Sequence, residues 1–282
     1  MQILTNPKTL QAKCLEWRKA GLTIGLVPTM GFFHEGHLAL MEKARPLCDK
    51  LIVSLFVNPT QFGENEDLDK YPHDFDGDKA KAQSMGTDLL FAPAPGDMYD
   101  NDHATWIDVP ELGEHLCGAA RPGHFRGVCT VVTKLFMLSH ADVAVFGQKD
   151  WQQLAIIRRM VRDLNIPIRL VGHEIVREAD GLALSSRNAY LTESERAAAP
   201  AIRQGLLKIA ESVTNGERDA ETIKELLRRE YTTNLPDGRV DYIEVVDPDA
   251  ITPVSEATRT VLVAVAVHLG KARLIDNILI EV

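Results

Sequence analysis

Val27-Pro28-Thr29-Met30-Gly31-Phe32-Phe33-His34-Glu35-Gly36-His37-Leu38 stands between two segments of different period. Residues 23–27 upstream are apolar and partly β-branched, as in a strand, and residues 37–48 downstream carry apolar side chains at helical spacing. The stretch is therefore a strand-to-helix turn, the place where ligands bind in open α/β sheets. His34 and His37, three apart at the start of a helix, put both imidazoles on one side, beside backbone N–H groups that a helix leaves unbonded. Imidazole donors, the partial positive charge of the helix N-terminus and the close approach allowed at Gly31 and Gly36 suit an anion, phosphate first. A metal pair and a plain helix cap are the other uses of H-x-x-H, and no Cys or third His stands nearby to complete a zinc site.

With 282 residues and 45% hydrophobic content, the chain can fill one large or two medium domains. Its 31 Lys and Arg against 40 Asp and Glu leave a net charge of −9. That excludes a nucleic-acid or anionic-membrane surface and makes any phosphate site a local positive pocket for a small substrate. Cys14, Cys48, Cys117 and Cys129 contain no C-x-x-C pair and read as reduced core thiols. The N-terminus has no signal-peptide core, and the longest apolar run, residues 261–267, is too short to span a bilayer. The expectation is a cytoplasmic protein with neither nucleic acid nor membrane as partner.

Residues 7–20 read as a helix closed by Gly21, and residues 51–57 as a buried parallel strand. That strand stops at Asn58-Pro59-Thr60-Gln61, on the same sheet edge as the histidines. The Asn58 and Gln61 amides suit a ligand with hydroxyls and a carboxylate, although Asn-Pro turn chemistry accounts for Asn58 better than for Gln61. Residues 64–78 read as an acidic loop. Asp74-x-Asp76-x-Asp78 resembles a calcium loop but lacks the later Glu, so these acids are assigned to the macrodipole of a helix at residues 75–85. Strands are expected at residues 88–92 and 105–109, a glycine-rich basic flap at residues 116–127 and a helix at residues 128–139.

A strand at residues 141–146 runs through Gly147-Gln148-Lys149-Asp150 into a helix reaching residue 165, a second strand-to-helix turn. Lys149 is placed to meet phosphate there, and Gln153 lies about one turn into the helix. After a strand at residues 166–171, Ser185-Ser186-Arg187 offers two hydroxyls and a guanidinium fork, a compact set of phosphate ligands. No G-x-x-x-x-G-K-[ST] occurs, so a nucleotide would bind without a P-loop. Thr192-Glu193-Ser194-Glu195 is a capping box opening a helix to residue 213. A helix at residues 219–231 and strands at 240–246, 258–268 and 272–280 follow. The chain thus reads as an α/β parallel-sheet domain, residues 1–176, and a smaller α+β domain with an antiparallel three-stranded sheet, residues 177–282.

Five ordered blocks carry a resemblance: PTMGFFHEGH (28–37), FVNPTQF (56–62), GHFRGV (123–128), FGQKDWQQ (146–153) and DGLALSSRN (180–188). Nearly end to end the chain resembles the pantoate:β-alanine ligases of vitamin B5 biosynthesis, a branch of the HIGH-motif nucleotidyltransferases. The resemblance implies a Rossmann-like ATP domain, a C-terminal lid domain and a homodimer. It implies that Met30, Gly31, Phe32, Phe33, His34, Glu35, Gly36 and His37 contact ATP, together with Gly147, Gln148, Lys149, Asp150, Val176, Leu184, Ser185, Ser186 and Arg187. Gln61 and Gln153 are assigned to pantoate, Gln61 also to β-alanine, and His37 is the proton donor. The resemblance also implies ATP with Mg2+ as substrate, with no tightly bound cofactor or resident metal.

The implied chemistry has two steps: the pantoate carboxylate attacks the α-phosphorus of ATP, and β-alanine then attacks the pantoyl adenylate. His34, His37, Lys149 and Arg187 are the groups that would stabilise charge building on the phosphoryl oxygens. A transferase that hands AMP to a phosphate acceptor and stops is the rival reading. It needs cationic groups at the acceptor, whereas Gln61 and Gln153 are neutral.

Overall fold

A computed structural model describes residues 1–63, 66, 68 and 71–282. By its contacts the chain falls into two units, Met1–Gln148 with Ile156–Glu174, and Lys149–Ala155 with Ile175–Val282. Among the described residues the first unit holds six strands, β1 (Gln2–Leu4), β2 (Ile24–Thr29), β3 (Lys50–Leu55), β4 (Leu89–Phe91), β5 (Val143–Gly147) and β6 (Arg169–His173), in the order β1-β4-β3-β2-β5-β6. Every pairing is parallel. Its helices are α1 (Pro7–Lys19), α2 (Glu35–Ala44), α3 (Phe75–Ser84), α4 (Pro95–Met98), α5 (Leu116–Ala120) and α6 (His124–Ser139); α7 (Trp151–Asp163) begins among the residues of the second unit.

Strand order reverses at β2, with β3 on one side and β5 on the other. In a parallel sheet such a reversal opens a crevice beyond the C-terminal ends of the two central strands. The chain leaves β2 there directly into the histidine stretch. Val27, Val53 and Leu90 form one row across β2, β3 and β4 and pack with Phe33, Met41, Ala44 and Ala82 from the α2 and α3 side. Alternation turns the next row, Leu26, Ile52 and Leu89, to the opposite face. Full burial of each such side chain is worth about 1.5–3 kcal/mol, so the two rows outweigh any single cap or ion pair in holding the sheet.

Asp88, at the start of β4, closes the N-terminal side of this sheet. Its carboxylate accepts from Arg45 Nη1 at 2.7 Å, Lys50 Nζ at 3.2 Å and the Leu51 N–H at 2.8 Å. Burial by itself raises this carboxyl, but the Leu51 N–H and the two cations outweigh it and hold the group below its ordinary value.

In the second unit, α8 (Glu193–Ala198), α9 (Ala201–Thr214) and α10 (Ala220–Asn234) precede the antiparallel sheet β7 (Gly238–Val246), β8 (Val261–Leu269) and β9 (Ala272–Ile280), with β8 central. Leu206, Ile209, Val213, Ile223, Leu227 and Tyr231 from α9 and α10 share one buried cluster with Val263, Val265 and Val267 of β8. The Tyr231 hydroxyl donates to the Ile202 carbonyl at 2.9 Å, which lets so large a polar side chain sit 1% exposed.

Several sequence expectations shift. β1 is an added strand, where no element is expected from the sequence; three residues on a sheet edge are too few to show a period. The helix expected from residue 192 to 213 is two helices, because Pro200 cannot continue the hydrogen-bonded ladder. Residues 105–109 pair with no strand among the described residues, and the Ile107 N–H is bound instead by Thr130 Oγ1 at 3.1 Å. Residues 116–127, expected as a flap, form α5 and the first turn of α6. Two of their glycines serve close packing: a Cβ on Gly118 would lie 2.0 Å from the Gly113 carbonyl oxygen, and one on Gly127 would lie 2.3 Å from that of Thr60. Of the expected acidic loop at residues 64–78, residues 64, 65, 67, 69 and 70 lie outside the described residues. None of the four cysteines forms a disulfide, and burial pushes the Cys14 and Cys129 thiols up to about 12. No helix among the described residues is long and apolar enough to cross a membrane.

Replacing Asp88 by Asn removes charge-assisted bonds and is expected to cost about 1–3 kcal/mol at neutral pH. Because the folded carboxyl lies below its ordinary 3.8, its stabilisation is complete above that value and vanishes as pH falls through the lower folded one. Thermal unfolding of both proteins at neutral and at strongly acid pH checks this: the gap should close in acid, and a gap that persists there contradicts it.

Candidate active site

Between β2 and α2 the backbone turns through two consecutive residues in the left-handed region, Gly31 at φ +93° and Phe32 at φ +54°. For Phe32 this conformation costs roughly 1–2 kcal/mol, so surrounding structure must hold it. Asp78 of α3 does so, its carboxylate accepting the Phe32 N–H at 2.7 Å and the Phe33 N–H at 2.6 Å. Lys81, nearly one turn further on α3, donates to the Phe33 carbonyl at 2.6 Å. A Cβ on Gly31 would stand 3.0 Å from Asp78 Oδ2 and 3.3 Å from Leu55, which with its φ makes glycine the residue for that place. The Phe33 ring is 2% exposed and anchors the turn in the core.

The turn delivers both histidines to the first turn of α2 as a capping box made of imidazoles. His34 is the N-cap, its Nδ1 accepting the Gly36 N–H at 3.1 Å, and His37 Nδ1 accepts the His34 N–H at 3.3 Å. A ring nitrogen that accepts carries no proton, so each neutral imidazole bears its proton on Nε2. The ring centroids are 4.2 Å apart. Two N–H donors are thus presented together where the helix dipole is positive. The cap reading is observed, and it is compatible with the anion reading, since capping through Nδ1 leaves Nε2 as the donor. Glu35 opens the helix beside them, and among the described residues no group of three or more His, Cys, Asp or Glu is arranged to hold a metal ion.

β3 ends in a 3-10 turn, Pro59–Gln61, whose residue Gln61 is 8% exposed. Asn58, 1% exposed, caps this turn and orients the Gln61 amide: its Nδ2 donates to Gln61 Oε1 at 3.2 Å and to the Gly127 carbonyl at 3.2 Å. Asn58 Oδ1 accepts from the Tyr99 hydroxyl at 2.9 Å and from Thr60 Oγ1 at 3.0 Å. With its oxygen claimed by Asn58, Gln61 turns its Nε2 donor toward Met30, 3.1 Å from the sulfur. Met30, His34, His37 and Gln61 therefore all belong to the C-terminal edge of β2 and β3.

The remaining predicted residues are built in the second unit, apart from Gly147, which ends β5, and Gln148, which opens the 3-10 turn Gln148–Asp150. The Lys149 carbonyl accepts from Asn277 Nδ2 at 3.0 Å, and Trp151 Nε1 donates to the Pro248 carbonyl at 2.8 Å, so the start of α7 is seated on β9 and on the turn after β7. Gln153 is half-buried in the first turn of α7. Val176 and Leu184 are joined by a backbone bond of 3.0 Å at the mouth of a tight loop. Arg177 within that loop pairs with buried Asp276 at 2.7 and 2.9 Å. Ser185 Oγ caps the 3-10 turn Ser186–Tyr190 by accepting the Arg187 N–H at 3.2 Å, which leaves its own hydroxyl proton as a donor.

Sequence reasoning missed Asp78 and Lys81, having assigned the acids of this segment to the helix dipole. Asp74 does cap α3 and Asp76 lies in its first turn. Asp78 is different: it and Ala82, four residues apart, are the buried positions of α3. A carboxylate on the apolar stripe of a helix was the available signal.

A sequence model described as Pantoate-beta-alanine ligase matches residues 2–279 of the chain. The chain is 61% identical to the pantothenate synthetase of Maridesulfovibrio salexigens over 282 residues, 100% of both chains. It is 56% identical to that of Nitratidesulfovibrio vulgaris over 280 residues, 99% of each. Among solved structures, pantothenate synthetase from Thermus thermophilus superposes with a TM-score of 0.91 at 42% identity, over 99% of both chains. The pantoate-beta-alanine ligase of Francisella tularensis, complexed with beta-gamma ATP and beta-alanine, gives 0.79 at 31% identity over 99% of this chain and 97% of that one.

Asp78→Asn sets an amide N–H2 against a backbone N–H and is expected to destabilise the protein by about 2 kcal/mol or more, since a charged acceptor of two backbone bonds, one of them buried, is lost. Urea unfolding followed by far-UV circular dichroism reads this directly, and an unchanged midpoint would show that Asp78 does not hold the turn.

Proposed function

Since the chain belongs to the pantoate-beta-alanine ligase family and joins pantoate to β-alanine to give pantothenate, we propose that it does so in two ATP-driven steps through a pantoyl adenylate. In the first, a carboxylate oxygen of (R)-pantoate attacks the α-phosphorus of Mg-ATP, the bond to the bridging oxygen breaks, and pyrophosphate leaves. In the second, the β-alanine nitrogen attacks the acyl carbon, the acyl–phosphate bond breaks, AMP leaves, and the amine gives up a proton as the amide forms. The observation that carries this reading is the histidine capping box. Two imidazoles whose Nδ1 atoms are engaged by the backbone act as fixed Nε2–H donors, and fixed donors stabilise phosphoryl charge without reorganising.

Under this reading the loop Met30–Gly31–Phe32–Phe33 and the helix start Glu35–Gly36 line the nucleotide, with His37 as proton donor. Gly147, Gln148, Lys149, Asp150, Val176, Leu184, Ser185, Ser186 and Arg187 supply the other ATP contacts, Lys149 and Arg187 as the cations facing phosphate. Residues 177–282 act as the lid. Gln61 and Gln153 hold pantoate, Gln61 also β-alanine. Neutral amides orient a carboxylate without quenching it in an ion pair, as a nucleophile requires. The ligands named with the Francisella tularensis structure, an ATP species and β-alanine, support both the nucleotide and the amine as substrates here.

We also propose a homodimer in which residues 105–109 meet a second copy. They flank a cleft of about 400 Å³ lined by Ile107 and Met137, with Trp106 41% and Met137 48% exposed. Light scattering should give twice the 31.3 kDa chain mass, and Trp106→Glu should shift it toward the monomer; a wild-type monomer overturns the proposal.

Labelled pyrophosphate is expected to enter ATP when pantoate is present and β-alanine is not. Exchange without pantoate would overturn the adenylate route. His37→Ala should slow single-turnover adenylate formation about a hundredfold, the scale of losing one preorganised donor. Gln153→Ala should weaken pantoate use by at least about tenfold with ATP affinity nearly intact, as expected for a buried partner left unpaired.

A further inference from the structure

Behind Gln61 runs a chain of bonds that the two-step reading does not use. His124, at the first position of α6, is 8% exposed. Its Nδ1 lies 2.7 Å from the Gln61 carbonyl oxygen, and its Nε2 lies 3.0 Å from Arg121 Nη1. A guanidinium only donates, so Nε2 accepts, the imidazole is neutral, and its single proton sits on Nδ1. There it donates to the Gln61 carbonyl. Arg121 is fixed from its far side by Glu66: Nε donates to Oε1 at 2.9 Å and Nη2 to Oε2, a bidentate pair. Burial by itself raises the Glu66 carboxyl, but Arg121 outweighs it and keeps the group below the usual value, so the pair is ionised at neutral pH.

Each link decides the next. The carboxylate sets the plane of the guanidinium, the guanidinium sets the tautomer, and the tautomer makes His124 a donor to the backbone of Gln61. The same backbone is pressed against α6 at Gly127, where a Cβ would lie 2.3 Å from the Thr60 carbonyl oxygen and 2.7 Å from the Gln61 nitrogen. With Asn58 orienting the amide at the other end, Gln61 is held at both backbone and side chain. A neutral side chain that orients a substrate loses its use if it swings by an ångström, and a 3-10 turn of three residues has little rigidity of its own.

We propose that His124, its tautomer fixed by the Glu66–Arg121 pair, is a positioning residue that holds Gln61 for pantoate. This rests on the reading of Gln61 as a pantoate ligand. The test is steady-state kinetics on the full-length chain with pantoate and ATP varied separately. His124→Ala should raise the pantoate KM about tenfold, the loss of one directed bond, with the ATP KM within about twofold. His124→Asn places an amide N–H2 where Nδ1 stands and should recover most of the loss. His124→Gln, whose amide falls nearer Nε2, should not. Arg121→Met should behave as His124→Ala, since the tautomer is then no longer set and the Arg121 Nη2 contact of 3.5 Å with the same carbonyl is lost.

Equal kinetics for the Asn and Gln variants, or pantoate and ATP KM rising together, would reduce His124 to a packing role and overturn the proposal. If His124→Ala does not fold, the contrast between Asn and Gln decides alone. Gln61→Ala run in parallel separates the two layers. A raised pantoate KM there with an unmoved one in His124→Ala overturns the positioning role only, and no effect of Gln61→Ala on pantoate overturns the pocket assignment beneath it.

Discussion

Two consecutive left-handed residues between β2 and α2, and the buried carboxylate that holds them, are the constraint on which the rest of the first unit depends. Gly31 adopts its φ at no cost, but Phe32 does not. The two N–H groups that this turn exposes have no partner in the sheet or the helix. Asp78 supplies it, and hydrogen bonds to a charged acceptor, about 1.5–3 kcal/mol each, exceed the roughly 1–2 kcal/mol of strain. Were the carboxylate absent, the turn would relax and α2 would start elsewhere. The helix start and the placing of the histidine pair at the crevice, which the strand-order reversal opens, follow from that one anchoring.

The same economy governs charge. The chain carries −9 overall, and the groups placed at the ends of β2 and β3 include neutral donors: two imidazoles, a glutamine amide and backbone N–H groups. A neutral imidazole with Nδ1 committed to the helix cap is a donor of fixed direction. Capping is commonly the work of Ser, Thr, Asp or Asn. Imidazole in that role satisfies the backbone with one ring atom and offers a proton with another, which a hydroxyl or a carboxylate does less well.

Gln61 illustrates how a flexible side chain becomes a precise one. Nothing about glutamine is rigid, and its turn is only three residues long. Precision comes from outside it: Asn58, itself fixed by Tyr99 and Thr60, orients the amide, and α6 meets the backbone at Gly127 and His124. Residues 116–127 look in sequence like a loose basic loop. Gly118 and Gly127 are there because two backbones touch, and the basic residue Arg121 serves an internal ion pair.

What the sequence determined by itself was the alternation of β and α elements, the three-stranded antiparallel sheet at the end, the sheet edge carrying the histidines and Gln61, and the family. Each is written in local period or in a contiguous motif: the apolar run ending at Asn58, the H-x-x-H after a glycine turn, the ordered blocks from Pro28 to Asn188. Tertiary structure alone decided the strand order, the edge strand Gln2–Leu4, the irregular course of residues 105–109 and the break at Pro200 between α8 and α9. It alone decided the use of Asp78, 46 residues from the N–H of Phe32 that it binds, and of His124, 63 residues from the carbonyl it meets. The physical reason is one of range. Periodicity reports which face of an element is buried, but not which distant backbone group a buried polar atom will find there, and that pairing exists only once the elements have packed.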